Sequence, residues 1–101
     1  MKVSNKKDVQ ELILLNKSKI SDYGIHKIGL FGSFARNENN ESSDIDFIVS
    51  FYDGKKNYKN FINLFFFLSD LFQRKIELLT EESLSPYLKD NILKEVEYVT
   101  I

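Results

Sequence analysis

GLFGSFARNENNESSDIDFIV, residues 29–49, leaves one apolar segment at Phe31, turns at Gly32-Ser33, crosses a polar loop and enters a second apolar segment headed by two aspartates. On a strand, residues two apart share a face, so Asp44 and Asp46 point one way while Ile45, Phe47 and Val49 point the other, into a core. Carboxylates held side by side repel each other unless a cation lies between them. A hard divalent ion such as Mg²⁺ suits such a pair, because it takes oxygen ligands and completes its shell with water and substrate phosphates. Taken alone, the spacing is equally that of a solvated acidic strand cap. Gly32-Ser33 adds a second signal. Glycine lets backbone N–H groups approach an anion, Ser33 to Arg36 can begin a helical turn whose N-terminal end favours phosphate, and the serine hydroxyl is a further donor. An ordinary strand-to-helix turn uses the same dipeptide. Both signals flanking one loop point to a site for metal and phosphate.

Working outward, Ser4 can cap a first helix in which Val9, Leu12, Ile13 and Ile20 recur at helical spacing up to a stop at Tyr23-Gly24. His26 to Phe31 and Asp46 to Phe51 read as two buried strands. Asp53 to Asn57 is a turn, and Tyr58 to Phe72 is long enough for a helix of four turns. Arg74 to Thr80 reads as a third strand. Ser85-Pro86 opens a short helix running to about Lys94, and Glu97 to Ile101 closes the chain as a strand. The order α-β-turn-β-α-β-α-β is that of an α/β or α+β domain with helices packed on one small sheet.

Composition narrows the function classes. The chain has 101 residues, 43% of them hydrophobic, enough for one domain over residues 1–101 and too few for two ordinary ones. Its 14 Lys and Arg against 15 Asp and Glu leave no basic excess of the kind that marks a dedicated nucleic-acid binder. No cysteine and a single histidine, His26, exclude thiol chemistry and remove the common zinc ligands. The N-terminus lacks an apolar leader, and the longest apolar run, Leu64 to Leu68, is far short of the roughly 20 residues that span a bilayer. A cytoplasmic protein away from the membrane is expected.

The string Gly32-Ser33-x-Ala35-Arg36 followed by Ser43-Asp44-Ile45-Asp46, with ten residues between Ser33 and Asp44, resembles the signature of the nucleotidyltransferase superfamily that includes DNA polymerase beta and kanamycin nucleotidyltransferase. The likeness is to its shortest branch, the minimal nucleotidyltransferases, and covers nearly the whole chain. It implies a nucleotidyltransferase fold with a mixed sheet of about four strands. It also implies a third carboxylate on a later strand beside the Asp-x-Asp strand, where Glu77 is the one acidic residue of RKIELLT. Most members carry aspartate there, so Glu77 is a departure that alters the reach of the side chain.

By the same resemblance, Asp44, Asp46 and Glu77 would hold two Mg²⁺ ions and act on the reacting groups, while Gly32 and Ser33 would hold the departing phosphates of ATP. Arg36 would either add positive charge there or pair with Glu38 or Glu41 on the surface. Minimal nucleotidyltransferases are paired with small helical HEPN proteins, so the resemblance implies a hetero-oligomer. In it this chain is the antitoxin of a type VII-like toxin–antitoxin pair, transferring AMP to a tyrosine of the HEPN toxin. The alternatives are an antitoxin that neutralises by binding, and a small-molecule transferase of the aminoglycoside-modifying kind. In the helix Tyr58–Phe72, the residues Phe61, Leu64, Phe65, Leu68 and Phe72 form one stripe that Ile62, Phe66 and Leu71 extend around the surface. Part of that surface is either core or a docking face.

Overall fold

The computed structural model describes residues 2–101. Its elements are α1 (Lys6–Leu15), α2 (Lys17–Ser21), β1 (Ile25–Phe31), α3 (Gly32–Ala35), β2 (Ile45–Phe51), α4 (Tyr58–Phe72), β3 (Ile76–Thr80), α5 (Pro86–Glu95) and β4 (Glu97–Thr100), with a 3-10 turn at Glu81–Ser83. The strands form one mixed sheet in the order β3-β2-β1-β4. β1 runs antiparallel to both β2 and β4, while β2 and β3, joined through α4, are parallel.

Alternation along the strands divides the sheet into two faces. Ile28 pairs with Val49 and Val99, Leu30 with Phe47, Ile45 with Ile76, and Phe47 with Leu78. These side chains meet Val9, Leu12 and Ile13 of α1, Ile20 of α2 and Leu64, Leu68 and Phe72 of α4 in one buried cluster. Burial of this aliphatic and aromatic face supplies the main drive for folding. The opposite face carries Phe31, Asp46 and Glu77 in one register row, and Gly29, Ile48 and Leu79 in the next. Ile48 is fully buried on that second face, so β2 is covered on both sides at its centre, from Phe47 to Val49.

β1 and β2 each begin one residue earlier than the sequence reading, at Ile25 and Ile45, and three further boundaries differ for local reasons. The first helix is capped by Asn5 rather than Ser4: the Asn5 side chain accepts from the Asp8 amide, and the Asp8 carboxylate accepts from the Ser4 amide. It also breaks in two at Asn16, whose amide bonds back to the Ile13 carbonyl and whose side chain donates to the Leu12 carbonyl, tightening the last turn of α1. The third strand begins at Ile76, because Gln73 closes α4 in the left-handed conformation (φ 51°) and Arg74 turns away to another partner.

Most of the apolar surface of α4 is core. Leu64, Leu68 and Phe72 are buried, and Phe61, Phe65, Phe67 and Leu71 pack against the cluster from its edge. Phe66, with 61% of its surface exposed, and Tyr58 at the first turn are the exceptions. No helix among the described residues is long and apolar enough to cross a membrane.

Candidate active site

The Gly32 turn is built at the end of β1. Gly32 adopts φ +74°, which side-chain-bearing residues rarely enter, and a Cβ placed there would overlap the Asp46 carboxylate. The turn is therefore both sharp and pressed against the strand that carries Asp46. Phe34 and Ala35 sink into the core and fix α3 to the sheet, leaving half-buried Ser33 beside the buried Gly32.

Asp46 sits in register opposite Phe31 on one side and Glu77 on the other. Half-burial and a hydrogen bond to the Glu77 carboxyl, with its charge, push the Asp46 carboxyl up from the ordinary 3.8 to about 7. The negative charge of Asp44 adds to this and Arg36 opposes it. Glu77 is an exposed residue of β3 flanked by the buried Ile76 and Leu78. Asp44 precedes β2 and is half-buried, with its Oδ2 3.9 Å from Lys75 Nζ. Asp46 and Glu77 thus meet directly, and Asp44 stands beside them facing Lys75. Among the described residues no three acidic, histidine or cysteine side chains converge as a ready metal cage.

Arg36 ends α3 and is engaged twice. Its Nε donates to Glu38 Oε1 at 2.8 Å and its Nη1 to Glu95 Oε2 at 3.1 Å. Both carboxylates hold the guanidinium above its already high pKa. The partners are Glu38 and Glu95; Glu41 takes no part. Glu95, at the C-terminal end of α5, also accepts from the Gly32 amide at 2.9 Å. A carboxylate of the chain itself is therefore seated on the N–H and the guanidinium that the sequence assigned to phosphate. α5 has no buried residue of its own, so this contact is a principal tie between that helix and the site. Sequence reading missed Glu95, which lies 63 positions from Gly32 and belongs to no local motif.

A family model described as "Nucleotidyltransferase domain" matches residues 9–99. A relative from Methanocaldococcus jannaschii named "Putative protein adenylyltransferase" is 35% identical over 94 residues, covering 91% of this chain and 95% of that one. The protein adenylyltransferase MntA of Thermococcus cleftensis is 31% identical over 93 residues, covering 91% and 93%. Among solved structures, one described as a "putative minimal nucleotidyltransferase" superposes with a TM-score of 0.79 at 26% identity, covering 93% of this chain and 95% of that one. A chain from the complex of a tri-AMPylated Shewanella oneidensis HEPN toxin with its MNT antitoxin matches with a TM-score of 0.56 at 22% identity, over 84% of this chain and 69% of that chain. At that identity the last match speaks for the fold alone.

Proposed function

This chain belongs to the nucleotidyltransferase domain family, as a minimal nucleotidyltransferase, and we propose that it transfers AMP from ATP to a tyrosine hydroxyl of a HEPN-type partner, acting as its antitoxin. The observation that carries the reading is the meeting of the Gly32 turn, Asp46 and Glu77 at one end of three adjacent strands. Relatives of similar length named as protein adenylyltransferases favour a protein acceptor over a small molecule. The HEPN class of partner is proposed by analogy with the complex of an AMPylated HEPN toxin and its MNT antitoxin, whose chain shares this fold.

The donor set fits a divalent cation. Asp46 and Glu77 are hard oxygen donors paired in register on adjacent strands, and burial together with the Glu77 carboxyl raises the Asp46 carboxyl to about 7, which a bound cation would reverse. Asp44, Asp46 and Glu77 would hold it, with Asp44 turning in from its long contact to the exposed Lys75. When bound, Mg²⁺ supplies charge neutralisation at the phosphates and lowers the pKa of an attacking hydroxyl.

In the transfer, the acceptor oxygen forms a bond to the α-phosphorus as the bond to the β-phosphate oxygen breaks and pyrophosphate leaves. Gly32 N–H, the Ser33 hydroxyl and Arg36 would receive the departing phosphates once Glu95 is displaced. Glu77, on the β3 side of Asp46 and so away from the β1 turn, would take the acceptor proton. Incubation with ATP, Mg²⁺ and a HEPN-type partner protein tests the reading. Mass spectrometry should find AMP on a tyrosine of that partner, and an unmodified, still neutralised partner would favour the binding-only alternative.

A further inference from the structure

Arg74 lies between α4 and β3, outside every residue so far given a chemical role. Its Nη1 donates to three backbone carbonyls of the loop that leads into Asp44: Asn40 at 3.2 Å, Glu41 at 3.2 Å and Ser43 at 2.8 Å. Its guanidinium carbon stands 5.1 Å from the centroid of the Phe34 ring. Phe34 is fully buried and sits in α3, two residues after Gly32. One side chain therefore touches both lips of the site, the loop ending in Asp44 and the turn presenting Gly32 and Ser33.

The loop needs such an anchor. Its side chains are polar, and its internal bonds, from the Asn40 amide to Ser43 Oγ and from the Ser42 amide to Asn40 Oδ1, set its shape without tying it to the sheet. Guanidinium is planar, permanently charged and able to stack on an aromatic face while donating in its plane. Hydrogen bonds from a charged donor are stronger than neutral ones, and here they replace carboxylate partners altogether. Lysine would keep the charge but offers a point donor with no face to lay on Phe34.

We propose that Arg74 is a positioning residue for AMP transfer: through Ser43 and Phe34 it fixes the Asp44 loop against the phosphate-binding turn. The proposal rests on the reading of function above. It acts without touching substrate, so it is distinct from Arg36, which faces the site directly.

Arg74→Lys and Arg74→Met in the full chain test it with two readouts. Amide hydrogen exchange in the metal-free protein should quicken at residues 32–35 and 43–46 in both variants and stay unchanged at Ile48 and Val49 in the middle of β2. Binding of Mg²⁺ by calorimetry and kcat for transfer should each fall about tenfold, the scale on which supporting contacts around a metal site act, with little recovery in the lysine variant. Unchanged exchange at both lips, or wild-type kcat in Arg74→Lys, would overturn the proposal. Should Arg74→Met fail to fold, Arg74→Lys decides alone. Should wild type transfer nothing, the functional reading fails, and the exchange comparison still decides whether Arg74 holds the two lips together.

Discussion

Gly32 and Asp46 are packed so tightly that the glycine has room for a hydrogen and nothing larger: any Cβ at position 32 would collide with the Asp46 carboxylate. The turn proposed to hold phosphate and the strand proposed to hold metal are thus one steric unit. Gly32→Ala must also adopt φ +74°, a strained conformation that costs on the order of 1–3 kcal/mol. We expect the variant to remain folded with a lowered Tm and to lose well over 90% of transfer activity. Measuring both in one preparation separates displacement of Asp46 from simple unfolding.

The Asp46 carboxyl, raised to about 7 by burial and by the Glu77 carboxyl, makes stability depend on pH in a direction that can be stated. The native chain keeps a proton that the unfolded chain releases near pH 4, so this contribution is complete below about pH 4 and is lost as pH rises to about 7. The metal-free protein should melt at progressively lower temperature across that window. Asp46→Asn should flatten the profile and raise Tm near neutral pH while abolishing transfer. Mg²⁺ should reverse the loss in wild type, with proton release on binding visible in buffers of different ionisation enthalpy. A Tm that climbs from pH 5 to 7, contrary to the expected fall, counts against the shared proton.

Glu95 occupies the Gly32 amide and the Arg36 guanidinium, and in the proposed reaction ATP has to take both from it. Arg36 is about half exposed, so the pair is worth only what a largely solvated ion pair gives. Glu95→Gln should accordingly lower the KM for ATP by about 2- to 5-fold, with kcat little changed. Arg36→Ala should raise KM. A higher KM in Glu95→Gln would mean that the carboxylate assists nucleotide binding instead of competing with it.

Phe66 is a phenylalanine that α4 leaves in solvent beyond its first turn. An exposed substitution away from caps and special backbone costs about 0.5 kcal/mol or less, so Phe66→Ser should melt like wild type. If this face docks the HEPN partner, the variant should weaken complex formation by tenfold or more in calorimetry. Equal affinity would place the interface elsewhere.

The fold was legible in the sequence where pattern is local. Alternating Ile45, Phe47 and Val49 marked a strand with a core-facing side and the continuous apolar run marked α4, whose bounds Tyr58–Phe72 match. The Gly-Ser and Asp-x-Asp pair marked where a site would lie because both belong to one short loop. What stayed hidden depends on chain segments brought together only by folding. Glu95 reaches Arg36 across 59 positions, and Arg74 reads as an ordinary strand-leading cation until the loop carbonyls are placed around it. The break at Asn16 escaped notice because apolar spacing runs on past it; only the return bonds to Leu12 and Ile13 reveal it.

The central claim is that this constellation transfers AMP to a protein. Wild type and the Asp44→Asn, Asp46→Asn double variant should be compared with ATP labelled at the α- or the γ-phosphate, in Mg²⁺ with the HEPN partner. The account requires α-label, and no γ-label, to appear on the partner with wild type and to be absent with the double variant. Equal α-label transfer by both proteins would contradict it.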